Sequence, residues 1–180
     1  MVPTKFFLTK GVGVHKDRLH SFNLALLNAG VHTLNHVCVS SIIPPECKLI
    51  SRTIGETLLN IGEIQFVVMS RNDTDEANRV IGASVGMAKP LKLGTYGYLS
   101  EHHSFGDTAK IAGDYAEDMA AEMLAQGMGI PGFDPNTAWD DRKELYKSTK
   151  GYFKSRSITQ TARGVRGKWV TVVAIAVLIQ

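Results

Sequence analysis

Residues 36–45 of the chain read His-Val-Cys-Val-Ser-Ser-Ile-Ile-Pro-Pro. Its apolar pattern predicts a strand over residues 34–43, which Pro44 and Pro45 end because proline neither donates to a sheet ladder nor continues a helix. A strand on one side and a rigid turn on the other are expected to hold the Ser40–Ser41 peptide bond in a fixed, strained geometry. The Ser41 hydroxyl would then be poised over the Ser40 carbonyl, where proximity replaces an external nucleophile.

The segments on either side alternate between helical and extended patterns. Helices are predicted over residues 16–29, ended by Gly30, and over residues 108–126, begun by Asp107. The apolar stripes of these helices comprise Leu19, Phe22, Leu26 and Ala29 in the first, and Ala112, Tyr115, Ala116, Met119, Met123 and Leu124 in the second. Strands are predicted over residues 6–8, 64–70, 79–88, 95–100, 158–162 and 169–179, with turns at 11–13 and 72–73 and a loop over 127–140. This mixed order predicts an α+β fold rather than a regular α/β alternation.

Length and composition indicate one soluble domain over residues 1–180. The chain is 44% hydrophobic and 21% charged, which is ordinary for a folded globular protein. No signal-peptide pattern is present, and the apolar run 169–179 is about half the length of a membrane helix. Cys38 and Cys47 are too few for a disulfide framework and lack zinc-ligand spacing. We therefore expect reduced thiols, a cytoplasmic location and no membrane partner.

Positive charge is concentrated in residues 142–168. This segment holds nine Lys or Arg residues against one acid, Glu144, whereas the whole chain carries a net charge of +3. Such a segment can bind nucleic acid or phosphate. No nucleic-acid motif accompanies it, so a solvated face that balances acidic neighbours or another subunit is the favoured interpretation and a nucleic-acid partner is not expected.

Two other motifs are weak. Gly11-Val-Gly13 resembles the start of a dinucleotide-binding loop, but Lys16 occupies the third glycine position, so a plain turn is predicted. His102 and His103 could suggest a metal site. Because neighbouring side chains of a strand point to opposite faces, these two residues would not easily share an ion, and no metal is predicted.

Four stretches together resemble one known family. They are Asn28-Ala-Gly30 with Asn35, residues 39–46 (Val-Ser-Ser-Ile-Ile-Pro-Pro-Glu), residues 96–103 (Tyr-Gly-Tyr-Leu-Ser-Glu-His-His) and residues 112–118 (Ala-Gly-Asp-Tyr-Ala-Glu-Asp). On these residues the chain is similar to the pyruvoyl-dependent arginine decarboxylases, particularly the bacterial members, from Pro3 to Ile179. The serine pair with its diproline and its upstream Asn is the most specific part of the resemblance.

The resemblance implies a self-cleaving proenzyme. In the family, Ser41 would form an ester on Ser40, and elimination and hydrolysis would give a β chain of residues 1–40 and an α chain of residues 41–180. The new N-terminus of the α chain would be a covalent pyruvoyl group made from Ser41, which forms a Schiff base with an amino-acid substrate. The implied reaction converts arginine to agmatine and carbon dioxide. The implied architecture is a layered αββα sandwich, assembled as a trimer of αβ units with active sites between neighbouring subunits.

The resemblance also implies roles for individual residues. Glu101 matches the proton donor, which requires a raised pKa to donate at neutral pH. Asn35 matches a residue near the cleaved bond, where its amide could donate to an oxyanion. Ser40 and Ile42 would flank the pyruvoyl group, and Leu26 matches a position of an apolar substrate pocket. From the residues alone, Glu101 could instead be an exposed acid near a strand end, and Asn35 a turn residue before a strand.

One position departs from the family pattern. Asn23 stands where many members carry an acid that faces the guanidinium group, and a neutral amide cannot replace a bidentate carboxylate. Either another acid such as Glu46 supplies the charge, or the substrate is another amino acid such as histidine. A third possibility, from a different class, is an uncleaved, non-catalytic homologue that acts as an oligomeric scaffold or binding protein through its basic segment.

Overall fold

The computed structural model describes residues 1–180 and contains two sheets and four helices. The first sheet has the order β2 (Asn35–Cys38), β5 (Ile64–Thr74), β11 (Trp169–Ile179), β1 (Lys5–His15), β4 (Lys48–Leu49). The second has the order β3 (Ile42–Ile43), β7 (Gly97–Phe105), β6 (Val80–Pro90), β10 (Gly151–Arg163), β9 (Leu145–Ser148), β8 (Trp139–Asp140). The helices are α1 (Arg18–Asn28), α2 (Arg52–Glu56), α3 (Ala109–Gly127) and α4 (Pro135–Ala138). No helix combines the length and the apolar composition needed to cross a bilayer.

The two sheets pack face to face, and one long helix covers each outer face. The core between the sheets includes Phe6, Val68, Val85, Leu99 and Val172. A second core lies between α1 and the first sheet, and a third between α3 and the second sheet. The chain therefore forms four layers in the order α1, first sheet, second sheet, α3, which confirms the predicted α+β class and its αββα layering.

Helix α1 lies unusually close to β1. A Cβ atom on Gly11 would lie 2.1 Å from the carbonyl oxygen of Ala25, and one on Gly13 would lie 2.0 Å from that of Ser21. The turn predicted at residues 11–13 is wrong, because these glycines lie inside β1 and permit the helix to approach the strand. The predicted helix is confirmed, although Leu19 is 74% exposed and does not belong to its buried face.

Helix α3 packs on β6, β7 and β10 through small residues. Ala112, Ala116 and Ala120 are fully buried, whereas Tyr115, predicted to be part of the apolar stripe, is half-exposed. The first turn is capped by Thr108, whose side chain accepts the backbone N–H of Ile111. The predicted cap at Asp107 is therefore wrong by one residue, within the usual uncertainty of a helix boundary.

Strand β5 continues through the turn predicted at residues 72–73. Asn72 is buried, and its side-chain amide donates to the carbonyl oxygen of Ser104 at 2.9 Å. Asp73 forms ion pairs with Arg18 and Arg71. These polar side chains are satisfied within the sandwich, so they do not end the strand.

The single strand predicted over residues 34–43 is divided between the sheets. Residues 35–38 form β2, which pairs in parallel with β5 at one edge of the first sheet. Residues 42–43 form β3, which pairs antiparallel with β7 at one edge of the second sheet. The three residues between them, including both serines, carry the chain from one sheet to the other.

Candidate active site

The peptide bond between Ser40 and Ser41 lies where the chain crosses between the two sheets. On its N-terminal side, the N–H of Val39 donates to the carbonyl oxygen of Val67 in β5 at 3.0 Å. On its C-terminal side, the carbonyl oxygen of Ser41 accepts the N–H of Leu99 in β7 at 2.7 Å. The bond is thus held between two anchors, one on each sheet.

The backbone makes a tight turn at Ser41. The N–H of Ile42 donates to the carbonyl oxygen of Ser40 at 3.2 Å, which closes a three-residue γ-turn. Neither serine has a positive φ; the left-handed non-glycine residues are Glu46, Asn78 and Glu144. The backbone strain expected at the serine pair therefore does not take the form of a left-handed residue; the nearest such residue is Glu46, with φ of 62°, after the diproline.

This turn has a direct chemical consequence. The Ser40 carbonyl is the group that the Ser41 hydroxyl would attack, and its oxygen already accepts a backbone N–H. A donor aimed at an oxygen that gains negative charge lowers the barrier to attack. Ser41 is half-buried in the single chain.

Glu101 lies on β7, two residues beyond Leu99. Ser100 between them donates its hydroxyl to the carbonyl oxygen of Ala116 in α3, so Leu99 and Glu101 face the opposite way, toward the first sheet. The Glu101 side chain is exposed in the single chain, but the protein atoms around it desolvate the carboxylate and raise the pKa of Glu101. The backbone N–H of Met69 in β5 and the charge of His103 act in the opposite direction on this pKa.

Cys38 lies close enough to sense the charge of Glu101. Burial and, to a lesser extent, the negative charge of Glu101 raise the pKa of the Cys38 thiol. Cys38 ends β2 two residues before Ser40, and Glu101 lies on β7 two residues beyond Leu99, whose N–H bonds to Ser41, so both flank the crossing segment. The single chain therefore brings together the serine pair, Ile42 and Glu101.

Three predicted site residues lie elsewhere in the single chain. Asn35 begins β2, five residues before Ser40, and its side-chain amide donates to the carbonyl oxygen of Gly62 at 2.8 Å. Asn23 is exposed on α1, and Leu26 is buried between α1 and the first sheet. Helix α1 covers β1 and β11, whereas the serine pair follows β2 at the sheet edge beyond β5.

Glu46, the alternative acid for a guanidinium group, has its own partner. Its side-chain Oε1 accepts the N–H of Gly94 at 2.8 Å, in the loop between β6 and β7. The residue lies in a cleft at the end of the sandwich and not beside the serine pair.

The backbone groups that hold the Ser40–Ser41 peptide bond in place could not be predicted from the sequence. The N–H groups of Ile42 and Leu99 and the carbonyl of Val67 leave no residue-type signature, because every non-proline residue carries them. Cys38 and His103, as neighbours of Glu101, were also not predicted as part of the site. No cluster of three or more His, Cys, Asp or Glu side chains is arranged to hold a metal ion.

Comparison with known proteins places the chain in a family. The sequence model of the pyruvoyl-dependent arginine decarboxylase family matches residues 5–180. A protein of Chloroherpeton thalassium named "Probable pyruvoyl-dependent arginine decarboxylase" is 52% identical over 179 residues, which cover 99% of this chain and 98% of the relative.

Two further relatives agree over the same length. A protein of Chlorobaculum tepidum with the same name is 53% identical over 178 residues, and "Pyruvoyl-dependent arginine decarboxylase 2" of Methanosarcina acetivorans is 51% identical over 180 residues. Each alignment covers 99% of this chain and 98% of the relative. With a family match over nearly every residue and about half of all positions identical in bacterial and archaeal relatives, the chain belongs to the pyruvoyl-dependent arginine decarboxylase family.

Proposed function

We propose that this chain is a proenzyme that cleaves itself between Ser40 and Ser41 and then decarboxylates arginine to agmatine and carbon dioxide. The observation that carries the proposal is the turn at Ser41, in which the carbonyl oxygen of Ser40 accepts the N–H of Ile42 at 3.2 Å. Anchors on both sheets hold this turn, and Glu101, whose pKa is raised, lies on β7 two residues beyond the anchor Leu99.

The cleavage step needs only groups of this chain and water. The Ser41 Oγ attacks the carbonyl carbon of Ser40, and its proton passes to the nitrogen of Ser41 as the C–N bond breaks. Ser41 then has a free α-amine, and its side-chain oxygen carries residues 1–40 as an ester. The N–H of Ile42 stabilises the oxygen of Ser40 while it carries negative charge. Loss of the Ser41 Cα proton expels Ser40 as a carboxylate and leaves a dehydroalanine, which water converts to a ketone with release of ammonia.

The residues around Ser41 fit a pyruvoyl group made from it. The carbonyl of Ser41, which would become the amide carbonyl of the group, is held by the N–H of Leu99 at 2.7 Å, and this bond does not involve the part of Ser41 that reacts. A pyruvoyl carbonyl supplies the electrophile that protein side chains lack, and it withdraws electrons from the bond to the departing carboxylate.

Glu101 would hold the proton that replaces the lost carboxylate on the substrate. Desolvation raises the pKa of Glu101, so its carboxyl stays protonated to a higher pH than an ordinary glutamate. Its position on β7, facing the crossing segment, is suitable for delivery of a proton next to Ser41.

Binding of the substrate requires a second copy of the chain. Asn23 and Leu26 lie on α1, away from the serine pair of their own chain, and Asn35 lies at the far end of β2. A trimer of αβ units with active sites between subunits would bring these residues to the bond of a neighbour. A cytoplasmic location is part of the same proposal, because both cysteines are free thiols.

A second substrate remains a candidate because of Asn23. The amide cannot form the bidentate, charge-assisted pair that a carboxylate forms with guanidinium, and Glu46 is engaged with Gly94 outside the site. Another amino acid such as histidine is therefore the alternative substrate. If Asn23 does face the guanidinium group, Asn23→Asp should lower the KM for arginine by roughly tenfold, in line with the greater strength of charge-assisted hydrogen bonds.

Intact-mass analysis under denaturing conditions tests the cleavage. We expect fragments of 40 and 140 residues, the larger one blocked at its N-terminus. Ser41→Ala should remain a single chain because it lacks the nucleophile, whereas the matched control Ser40→Ala should still be cleaved because it keeps both the carbonyl and the Ser41 hydroxyl. Cleavage of Ser41→Ala, or a wild-type chain that stays whole, would contradict the proposal and favour a non-catalytic homologue.

Carbon dioxide release across a panel of amino acids tests the substrate. Arginine should be the preferred substrate of the cleaved protein, and Ser41→Ala serves as the blank. Cleavage without release from arginine would refute the substrate assignment and leave the self-processing step intact.

A further inference from the structure

A cleft at one end of the sandwich is separate from the serine pair. Its volume is about 630 Å³, and it lies between β1 and β4 of the first sheet and β6 and β10 of the second. Phe6 and Met87, both nearly fully buried, form its floor, and the loop of residues 91–95 forms one wall. None of Ser40, Ser41 or Glu101 lines it.

The walls of this cleft are strongly basic. Five cationic side chains line it: Lys48, Lys89, Lys92, Lys154 and Arg156. None of the five belongs to any of the six ion pairs of the chain. The one acid of the lining, Glu46, directs its Oε1 to the N–H of Gly94, so it does not pair with these cations.

Two of the lysines lie directly opposite each other across the second sheet. Lys154 of β10 pairs in register with Lys89 of β6. Their neighbours Phe153 and Ala88 are buried under α3, so both lysines point to the other face of the sheet, into the cleft. Like charges directly opposite in an antiparallel pair are destabilising.

The positive charges of this cleft have no ion-pair partners within the chain. The Nζ of Lys89 donates to the carbonyl oxygen of Cys47 at 2.8 Å, but this neutral partner leaves its charge uncompensated. Lys48, Lys92 and Arg156 add positive charge to the same cleft. An anion with several negative oxygens would relieve the repulsion and could contact cations from both sheets at once.

The rim of the cleft also offers apolar surface. Leu91 and Leu93 are 51% and 82% exposed, and both belong to the loop that lines the cleft. Exposed leucines next to a basic cleft suit a ligand that has an organic part beside its charged part.

We propose that this cleft binds a small ligand that carries two or more phosphate groups, of the nucleoside polyphosphate class. The phosphates contact the cations of β6, β10 and the loop, and the organic part packs on Leu91 and Leu93. The cleft is continuous in sequence with the reactive segment, because Glu46, Cys47 and Lys48 follow directly after the diproline.

Isothermal titration calorimetry on the full-length protein, in whichever cleaved state it is isolated, tests this proposal. ATP and inorganic tripolyphosphate are the two probes, which separate a nucleotide ligand from a free polyphosphate. Both should bind, with an affinity that falls as salt is raised. ATP should bind more tightly than tripolyphosphate because its organic part packs on the leucines, and equal affinities would refute that contact. The double variant K154E/R156E should weaken both by about tenfold or more, since hydrogen bonds to charged groups are lost.

The matched control is R166E/K168E, which makes the same change of net charge with exposed residues outside the cleft and should bind like the wild type. If K154E/R156E fails to fold, the loop variant Lys92→Glu should still weaken both probes. Leu93→Ser should remove the advantage of ATP over tripolyphosphate.

Three outcomes would overturn the proposal. One is no binding of either probe at millimolar concentration. Another is equal loss of binding in the two double variants, which would indicate a non-specific effect of net charge. The third is binding of a short RNA, abolished by K154E/R156E, in a protein that binds neither small probe. The result of this test does not depend on whether the chain is cleaved between Ser40 and Ser41.

Discussion

The substitution Gly13→Ala tests whether the close approach of α1 to β1 is needed for catalysis but not for self-cleavage. A Cβ atom at this position would lie 2.0 Å from the carbonyl oxygen of Ser21 and 2.5 Å from the backbone nitrogen of Ala25. Both of these are backbone atoms of the helix, so no side chain can rotate away. Because ordinary contacts begin near 3.4 Å, α1 must retreat by about 1.4 Å.

This displacement determines the expected losses of stability and of decarboxylation rate. Overpacking of this kind costs about 1–3 kcal/mol of unfolding free energy, or roughly 2–12 °C in Tm for a chain of this size. Since α1 carries Asn23 and Leu26, we expect the decarboxylation rate to fall by about tenfold to a hundredfold, as misplacement of a binding group by about 1 Å can do. The cleavage should be unaffected, because β5 and β7 hold the serine pair and α1 does not.

Three measurements on one preparation decide the outcome. Urea denaturation gives the stability, intact mass gives the extent of cleavage, and carbon dioxide release gives the activity. Val14→Ala, at an exposed position of the same strand, is the control and should match the wild type in all three. A Gly13→Ala protein as stable as wild type would refute the close packing, and one that is uncleaved would refute the independence of the serine pair from α1.

Three further predictions concern titratable groups. The decarboxylation rate should decline as pH rises through the raised pKa of Glu101, because the proton donor is then deprotonated. Glu101→Gln should still cleave itself but decarboxylate poorly, and its pH–rate profile should lack this decline at high pH. Glu101→Gln should also speed alkylation of Cys38 by iodoacetamide severalfold at fixed pH, because the charge of Glu101 helps to raise the pKa of the Cys38 thiol. An unchanged alkylation rate would argue against proximity of Glu101 and Cys38. Tyr146→Phe should lower the free energy of unfolding, measured by urea denaturation, by about 1–3 kcal/mol, because the buried hydroxyl donates to Asp118 Oδ1 at 2.6 Å. An unchanged free energy of unfolding would mean that this hydrogen bond contributes little.

The fold was predictable where the apolar pattern of a strand or helix continues over many residues. It was less predictable where a helix packs closely on a strand or the two sheets pack on each other. The long strand over residues 169–179 and the helix near residues 109–127 were both found from their apolar patterns. Gly11 and Gly13 predict a turn from sequence alone, because a glycine in a turn and a glycine packed under a helix have the same sequence pattern. Asn72 has turn-forming chemistry, but its buried hydrogen bond to Ser104 keeps it in β5.

The candidate site was predictable in its side chains and not in its backbone. Ser41 and Glu101 were predicted from family motifs that contain them, residues 39–46 and 96–103, and their catalytic roles stay predictions. The turn closed by the N–H of Ile42 could not be inferred, since its geometry depends on the division of residues 35–43 between two sheets. In the single chain Asn23 lies on α1, away from the serine pair, and no sequence pattern indicates the distance between them.

The crossing between sheets also determines what a cut there would leave behind. Residues 1–40 hold β1, which pairs along its whole length with β11, and β2, which pairs with β5. A fragment of residues 41–180 alone would lack two of the five strands of the first sheet and would expose both flanks of the β5–β11 pair. The mature protein would therefore behave as a split protein, in which a 40-residue peptide complements a larger partner without a covalent link and separates from it only on unfolding.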